Sequence, residues 1–349
     1  MTPLKLGSNL FIRDFSDLTA IECAAWDALL SNDADLNRAF LSRIYAKAVE
    51  VALGRVLVVI IYQAGCPVCF LPVQRLAGVL GAVGIFEPVG GSMTDYFGAV
   101  ATAAFNIAPQ TMLDATRGHI NAIVFTHLDQ TQQKFGLSGD DPRTGLQTFL
   151  GETPESYWVD LRKVDKKLVS DTERREKKLI NECGPITFEW ASTTPEADLR
   201  WLIESKKGQY TRTGRELAPL FMEGNVKLLK ELLQSTDVAC GGVLSVLRCG
   251  DKIVAAHFGL RCRNLLHVWF PVYDHTFSQY SPGRILFKHL FAEGAKHGLS
   301  VFDRGEGDTP AKRDFANAEH FFYRGVWQAT GLSGLIARVA LSISWRLQR

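Results

Sequence analysis

The segment between one predicted strand and the helix after it has the residue types of a phosphate-binding turn. The strand ends near Tyr273, and residues 281–284, Ser-Pro-Gly-Arg, lead directly into a helix predicted over 284–296. A glycine lets a ligand approach the backbone closely, and the first N–H groups of a helix have no intrahelical acceptor. Such a helix start attracts phosphate through these N–H groups and the helix dipole. The spacing alone leaves two interpretations open, a phosphate site and an ordinary helix capped near Ser281.

A second polar run follows the next predicted strand. That strand covers about 299–303, and two glycines, two acids, a proline and Lys312-Arg313 follow Asp303 within about ten residues. Charged side chains beside a flexible loop at the end of a strand are common in the functional sites of α/β proteins. The same run is equally typical of a solvated, Gly-rich connection, so both interpretations stay open.

The elements that would position these two segments belong to a mixed α/β domain. The residue patterns predict helices over 163–182, 195–207 and 220–235, and strands over 156–161, 186–191, 242–249, 252–262, 264–273, 299–303 and 320–329. Gly250-Asp251, between two of these strands, is a hairpin signal. The helix over 163–182 is highly charged, which fits either a solvated helix or a basic surface for anionic substrates.

The first half of the chain predicts another α/β unit. Helical patterns cover 17–53 and 106–118, and strand-like runs cover 56–62, 69–76 and 121–128. Pro72 inside the second of these strands suggests an edge strand or a bulge. The Gly-rich stretch 77–100 is typical of a tight loop that approaches a cavity. Residues 129–154 are polar and weakly periodic, so we expect the domain boundary there.

Length, charge and composition restrict the class of protein. The 349 residues fit two domains, and a hydrophobic content of 46% indicates a folded globular chain. The net charge of +2 argues against a dedicated nucleic-acid binder, so we expect no DNA partner. Neither a secretory signal nor an apolar run of about 18 residues is visible, which predicts a cytoplasmic protein.

Cysteine usage fits a reducing compartment. The seven cysteines are irregularly spaced, which is typical of free thiols. Cys66 and Cys69 form one C-x-x-C in a predicted hairpin, and a redox or metal role is the alternative to a structural one. No second pair follows at zinc spacing, so we assign no metal ligands.

The two polar runs, SPGR-x-L at 281–286 and the segment FDRGEGDTPAKRDFAN at 302–317, together resemble the C-terminal half of CelD/BcsL-type proteins. These are acyltransferase-like members of the GNAT superfamily that are linked to bacterial cellulose or exopolysaccharide production, and they are related to the FemAB transferases. The segments at 55–73 and 90–98 resemble that family's N-terminal half. The resemblance implies an α/β fold with mixed sheets, in two tandem GNAT-like domains at 1–150 and 151–330. The family usually has Tyr-Lys where this chain has Ala311-Lys312.

The resemblance also implies an acyl-CoA donor, acetyl-CoA or another acyl-CoA, and roles for particular residues. The donor would lie between the strand ending near Tyr273 and the following loop, bound by Gln279, Ser281, Gly283 and Arg284. The acceptor would attack the thioester directly, and an amine that is protonated at neutral pH needs a base. The candidates for that base are Asp303, Glu306 and His267. The candidates for substrate binding are Lys312, Arg313, Tyr273, Asp95 and Tyr96.

Some of these candidates also fit purely structural roles. His267 lies within a predicted strand, where a histidine on the sheet face is the alternative to a base. Asp95 and Tyr96 lie in the Gly-rich loop, where a simple turn is the alternative to a contact with the acceptor.

We therefore predict an acyl-CoA-dependent N- or O-acyltransferase that acts on a sugar or exopolysaccharide precursor. One alternative is a FemAB-like transfer of an amino acid from aminoacyl-tRNA, for which the charged helix over 163–182 is the only support. A further alternative is a non-catalytic, nucleotide-sensing module of a polysaccharide-secretion system, which Ala311 and the arginine-bearing tail suggest.

The tail, residues 331–349, predicts an amphipathic helix. Trp345 is an interfacial residue type, and the arginines lie off a face formed by Leu332, Leu335, Ile336, Val339, Ile343 and Leu347. This pattern is typical of a peripheral membrane contact, here at the inner membrane, and packing on the protein's own surface is the alternative.

Overall fold

The computed structural model describes residues 9–116, 118–214, 219–235, 237 and 240–347. The chain divides into two compact units: unit 1 contains Met1–Thr144 with Phe321–Arg349, and unit 2 contains Gly145–His320. The first break therefore lies six residues before the predicted boundary at 150. Unit 1 also contains residues 321–330, which were predicted in the second domain. It contains the C-terminal helix as well, which was predicted as a separate segment.

Unit 1 is built on a mixed sheet with the strand order β1-β2-β3-β4-β6-β13, and β5 pairs with β3. All neighbouring pairs in it are antiparallel except β4 and β6, which are parallel. Its strands are β1 (Leu10–Asp14), β2 (Leu57–Gln63), β3 (Cys66–Arg75), β4 (Ile85–Pro88), β5 (Val100–Ala101), β6 (Ala122–Asp129) and most of β13 (Ala318–Gln328). Its helices are α1 (Ala20–Asn32), α2 (Arg43–Leu53), α3 (Gly78–Ala82), α4 (Pro109–Ala115) and α11 (Gly331–Leu347).

Unit 2 is built on a sheet with the strand order β7-β12-β11-β10-β9-β8. Only β11 and β12 are parallel, and every other neighbouring pair is antiparallel. Its strands are the second half of β7 (Asp140–Phe149), β8 (Ile186–Glu189), β9 (Cys240–Cys249), β10 (Lys252–Cys262), β11 (Leu265–Tyr273) and β12 (Val301–Glu306). Its helices are α5 (Pro154–Val164), α6 (Lys166–Cys183), α7 (Pro195–Arg212), α8 (Glu223–Leu233), α9 (Pro282–Lys296) and the single turn α10 (Pro310–Arg313).

One predicted strand of unit 2 is wrong, because local capping makes it a helix. Residues 156–161 lie inside α5. The side chain of Thr153 accepts the N–H of Ser156, and the Ser156 hydroxyl oxygen accepts the N–H of Thr153 in return. Pro154 occupies the first helical position, where a missing N–H costs nothing. This reciprocal capping fixes the start of a helix.

The hairpin of β2 and β3 explains Pro72 and the C-x-x-C motif. Pro72 lies in a strand that has partners on both sides, opposite Val58 of β2. On the other side of β3, pairing is recorded at residues 69–70 and 73–75, and Pro72 lies between these stretches, where it displaces no ladder hydrogen bond. Cys66 is exposed and Cys69 is buried, and burial raises the pKa of the Cys69 thiol.

The core of unit 2 fixes helix α9 against the centre of the sheet. Leu290 and Phe291 of α9 are fully buried and pack with Leu266 and Phe302 of the parallel strand pair. A Cβ on Gly294 would lie 2.7 Å from the Phe302 ring, so glycine permits this close approach. Each such apolar side chain contributes roughly 1.5–3 kcal/mol. This packing holds the first turn of α9 beside the ends of β11 and β12.

Helix α11 packs on unit 1 through one side only. Ala337 and Leu341 are buried with Ile85 and Ala122 of the sheet. A second side leaves large apolar side chains exposed: Leu332, Leu335, Ile336, Val339, Ile343 and Trp345. The side chain of Leu347 lies outside the described set. Among the described residues, no helix is both long enough and apolar enough to cross a membrane.

Candidate active site

The two parallel strands of unit 2 pair only over their first residues. The recorded partners are Leu265 with Val301, Leu266 with Phe302, and His267 with Asp303. β11 then continues to Tyr273 alongside β10, whereas β12 continues to Glu306 alongside β7. The strands therefore part after His267 and Asp303 and leave an opening in the middle of the sheet.

A cavity of about 490 Å³ lies at this opening. It is bounded by the end of β11, the start of α9, one residue of β12 and the turn at 310–315, with one residue each from α6 and α7. The lining residues are Arg175, Gln209, Pro271, Val272, Tyr273, Ser278, Ser281, Gly283, Arg284, Leu286, Phe287, Arg304, Pro310, Ala311, Asp314 and Phe315. The two polar runs singled out in the sequence thus contribute to one cavity, within unit 2.

The start of α9 lacks an ordinary cap. Ser281 at the N-cap position has a left-handed backbone (φ 51°, ψ 53°), and its side chain accepts no hydrogen bond from the helix. Pro282 has no N–H, and Gly283 lies in the first turn, where no intrahelical acceptor is available. A Cβ on Gly283 would meet only the Tyr273 ring, at 3.8 Å, so this glycine keeps the space open. The Arg284 N–H already donates to the Ser281 carbonyl at 2.9 Å, so the Gly283 N–H is the backbone donor that this turn offers to a ligand in the cavity.

Two arginines at this end of the cavity are oriented by aspartates. Arg284 donates from Nε to Asp314 at 2.9 Å, and its Nη1 lies 3.6 Å from Asp171. Arg175 of α6 donates to Asp171 at 2.7 Å and to the Gln279 carbonyl at 2.6 Å. Both guanidinium groups remain partly exposed and face the cavity beside Gly283.

Most other charges of α6 are paired among themselves or with neighbouring helices. Arg174 pairs with Asp171, Lys178 with Glu182, and Glu176 accepts from His289 at 2.6 Å and also pairs with Lys288. Apart from Arg175, these residues do not line the cavity, so α6 meets it at a single position and is otherwise mainly a solvated surface.

Arg304 is one of the polar lining residues that the sequence interpretation missed, together with Arg175, Gln209 and Asp314. Successive side chains of a strand point to opposite faces, so Arg304 shares the α9 face with Phe302, and Asp303 does not. The Arg304 guanidinium carbon lies 4.0 Å from the centre of the Phe287 ring, and Nη2 donates to the Ala311 carbonyl at 3.2 Å. Burial lowers the pKa of Arg304 to about 10, which keeps the group charged at neutral pH. The signal in the sequence was its spacing: Arg304 lies two residues after the apolar Phe302, and residues two apart in a strand share one face.

Asp303 and His267 lie on the other face, outside the cavity lining. Asp303 was predicted at the end of its strand, but it lies inside β12. Its side chain is fully buried and accepts hydrogen bonds from the Gly305 N–H at 2.7 Å and from the Gln147 amide at 3.4 Å. His267 Nδ1 lies 3.8 Å from the Asp303 carboxylate. His257 is buried nearby, and burial, with the nearby His267 as a second cause, lowers its pKa to about 3. Two of the three candidate bases, Asp303 and His267, therefore lie where the strands part and do not line the cavity.

The remaining candidates of the second polar run are held by local contacts. Lys312 donates to the backbone carbonyl of Glu306 at 2.6 Å, and neither residue lines the cavity. Arg313 forms exposed ion pairs with Asp308 and Glu319, and its hydrogen bond lowers the pKa of Asp308. Of the predicted donor ligands, Ser281, Gly283 and Arg284 line the cavity, whereas the exposed Gln279 reaches it only through its carbonyl contact with Arg175.

The two candidates from the first half of the chain belong to unit 1. Tyr96 is buried in the core, where its ring stacks with Phe40, meets Phe322 edge-on and carries the Arg38 guanidinium at 4.8 Å. Asp95 is half-buried beside it. This placement matches the structural alternative for Tyr96, because its ring is enclosed by apolar and aromatic neighbours.

Comparison with known proteins finds a family model and solved structures that are similar to this chain. Residues 166–313 match the family model of the acetyltransferase (GNAT) domain, and no curated protein sequence matches the chain. The chain is similar to the solved structure of FemX, with 10% identity, a TM-score of 0.63, and 92% of this chain and 98% of that chain covered.

Two further solved structures are similar. One is the C-terminal domain (DUF2156) of an Agrobacterium fabrum protein described as a lysylphosphatidylglycerol synthetase, with 11% identity, a TM-score of 0.51, and 92% and 96% of the two chains covered. The other is a tandem GNAT protein from the clavulanic acid biosynthesis pathway, with 10% identity, a TM-score of 0.44, and 93% and 99% covered. The predicted α/β fold with mixed sheets is confirmed by the similarity to FemX. Residues 166–313, which match the acetyltransferase (GNAT) domain model, and the residues that line the cavity all lie in unit 2.

Proposed function

We propose that unit 2 transfers an acyl group from an acyl-CoA, with acetyl-CoA as the simplest donor, to an amine or hydroxyl acceptor. The observation that carries this proposal is the coincidence of two features at one cavity. The parallel strands β11 and β12 part there, and the uncapped start of α9 faces the same space. The parted strands leave room for an extended chain, and the helix start provides donors for phosphate.

The residues present fit such a donor. A volume of about 490 Å³ lies within the range of small-molecule sites, so the cavity can enclose part of a CoA molecule. Gly283 leaves the approach to the backbone N–H groups free of side-chain atoms. Arg175 and Arg284 add two partly exposed cations at the same end, where they would contact the phosphates.

The chain's own residues would bind and orient the two reactants. Acyl-CoA supplies the activated thioester when bound. The acceptor nitrogen or oxygen bonds to the acyl carbon, the carbon–sulfur bond breaks, and the proton that the acceptor loses ends on the departing sulfur, which leaves as the CoA thiol. Asp314, the one carboxylate among the described lining residues, is held by Arg284 at 2.9 Å and orients that arginine. Holding both reactants in one enclosed space supplies a large part of the acceleration.

We further propose a sugar or exopolysaccharide precursor as the acceptor. The support is the resemblance of residues 281–286 and 302–317 to the CelD/BcsL-type proteins. Ala311, where that family usually has tyrosine, lines the cavity and enlarges it beside Arg304. An amino sugar such as glucosamine is therefore the first acceptor to test.

Titration calorimetry with CoA and acetyl-CoA tests the donor site, and thiol release in the presence of an amino sugar tests turnover. We expect binding of both nucleotides and acceptor-dependent thiol release. Absence of CoA binding would refute the donor assignment. Tight binding of aminoacyl-tRNA at physiological salt, without CoA binding, would instead support the FemAB-like alternative, and CoA binding without turnover for any acceptor would support a non-catalytic sensor.

A further inference from the structure

We propose that Arg304 binds a carboxylate, carried by the acyl group of the donor or by the acceptor, at the inner end of the cavity. This inference rests on the proposed function, because it names the chemistry of a reactant at the same site. Arg304 is 7% exposed, lines the cavity and lies one residue beyond the point where β11 and β12 part. That position is next to the place where the donor's acyl group and the acceptor would meet.

The guanidinium of Arg304 is only partly satisfied by the protein. Nη2 donates to the Ala311 carbonyl, and one face of the group lies over the Phe287 ring. Nη1 is buried and has no hydrogen-bond partner among the described residues. An arginine presents a planar set of donors that matches a carboxylate, and here part of that set is unused.

No acidic side chain of the described residues forms an ion pair with Arg304. The nearby Asp314 influences it electrostatically but is held by Arg284 at 2.9 Å. A buried charge without a partner destabilises a fold, so its presence in a cavity indicates that a ligand supplies the counter-charge. One cation matches one carboxylate in charge.

The surroundings favour a carboxylate over a phosphate at this position. Phe287, Phe315, Pro310 and Ala311 form the wall around Arg304 and offer few polar groups. A doubly charged phosphate needs more donors than one guanidinium provides, whereas such donors are present at the other end, at Gly283 and its neighbouring arginines. The two ends of the cavity therefore differ in the anion that they accept.

The test compares pairs of reactants in which one member carries a carboxylate and the other does not. In the donor arm, succinyl-CoA is compared with acetyl-CoA; in the acceptor arm, glucosaminuronic acid is compared with glucosamine. We expect the wild-type protein to favour the carboxylate member of one pair by about 30-fold in Kd or KM, since a hydrogen-bonded charge pair of this kind contributes roughly 2 kcal/mol. The arm that shows the preference identifies which reactant carries the carboxylate.

Arg304→Met should remove this preference and leave the affinity for CoA itself within about threefold. Arg304→Lys keeps the charge without the planar set of donors and should retain only part of the preference. Arg261→Met is the matched control, because Arg261 also donates to backbone carbonyls of unit 2, at His297 and Arg263, but lies outside the cavity. It should leave the preference unchanged.

Equal affinity for both members of both pairs, or a preference that persists in Arg304→Met, would overturn the inference. If Arg304→Met does not fold, the comparison of wild-type protein with Arg304→Lys decides in its place. Melting experiments with free succinate and with succinamide test the carboxylate site without CoA. A failure of CoA binding would then refute the proposed function but would leave the carboxylate site to be decided by these probes. In that case, stabilisation of the wild-type protein by succinate, but not by succinamide, would still support the carboxylate site, and its absence would refute it.

Discussion

Gly283 is the residue at which the donor assignment can be tested without disturbing the fold. Its backbone is helical, and a Cβ placed there would meet only Cδ1 of the Tyr273 ring at 3.8 Å, an ordinary van der Waals distance. Replacing glycine by alanine in such a position usually stabilises a protein by about 0.4–1 kcal/mol, through the unfolded chain. Gly283→Ala and Gly283→Val should therefore both fold, and both place carbon atoms in the space that a phosphate would occupy.

The expected loss follows from the contacts that the new side chain would block. Each charge-assisted hydrogen bond from a backbone N–H to phosphate contributes about 1.5–3 kcal/mol. Valine at Gly283 would displace one such phosphate oxygen, so the Kd for CoA should rise by about 10- to 150-fold. The single methyl group of alanine should give a smaller rise, on the order of threefold to tenfold.

The assay is titration calorimetry with CoA for each variant, beside a melting curve for each. Gly208→Ala in α7 is the matched control, because its Cβ would meet only the flexible end of Arg212, at 3.2 Å. It should change the stability in the same sense and leave the Kd for CoA unchanged. A Gly283→Val protein that melts like the wild type and binds CoA with unchanged Kd would show that the helix start is not part of the donor site.

Three further predictions test other parts of the structure. His257 is fully buried, and its pKa is about 3, below its ordinary value of 6.5. As the pH falls from 6.5 towards 3, this histidine is therefore protonated in the unfolded chain but stays neutral in the folded chain, which favours unfolding. Acidification from pH 7 to pH 5 should then remove about 2 kcal/mol of the free energy of unfolding through this residue, and His257→Leu should lose correspondingly less in urea titrations at the two pH values. Asp303→Asn places an amide against the Gln147 amide and should lower the free energy of unfolding by about 1–3 kcal/mol while the Kd for CoA changes less than threefold; a large loss of CoA affinity in a stable variant would return Asp303 to the site. Helix α11 exposes an apolar side, carries Arg338 and Arg346 off that side and contains no acidic residue. The protein should therefore co-sediment with vesicles of anionic but not neutral lipid. The double change Leu335→Glu, Ile343→Glu should abolish this co-sedimentation, and equal sedimentation of the double variant would refute the prediction.

The helix start that lines the cavity could be predicted from the sequence because its determinants are local. Pro282 and Gly283 are adjacent in the chain and lie directly between a β-rich run and an apolar helix, so their position at a helix start needs no knowledge of distant contacts. The hairpin at Gly250-Asp251 was predictable for the same reason. The strand predicted over 156–161 is wrong because the reciprocal capping by Thr153 and Ser156 starts a helix there, which the alternation of residue types does not indicate.

Tertiary structure decided which side chains of β12 line the cavity. Neighbouring residues of a strand point to opposite faces, so the strand bounds and the register of β12 against β11 determine whether Asp303 or Arg304 faces the cavity. The sequence shows both residues side by side and cannot show which one α9 covers. In the same way, Arg313 looked available for an anionic substrate until the fold brought Asp308 and Glu319 to it. By itself the sequence determined the elements and the helix-start turn, because these depend on residues a few positions apart; the face of each strand and the partner of each charge depend on contacts that only the folded chain makes.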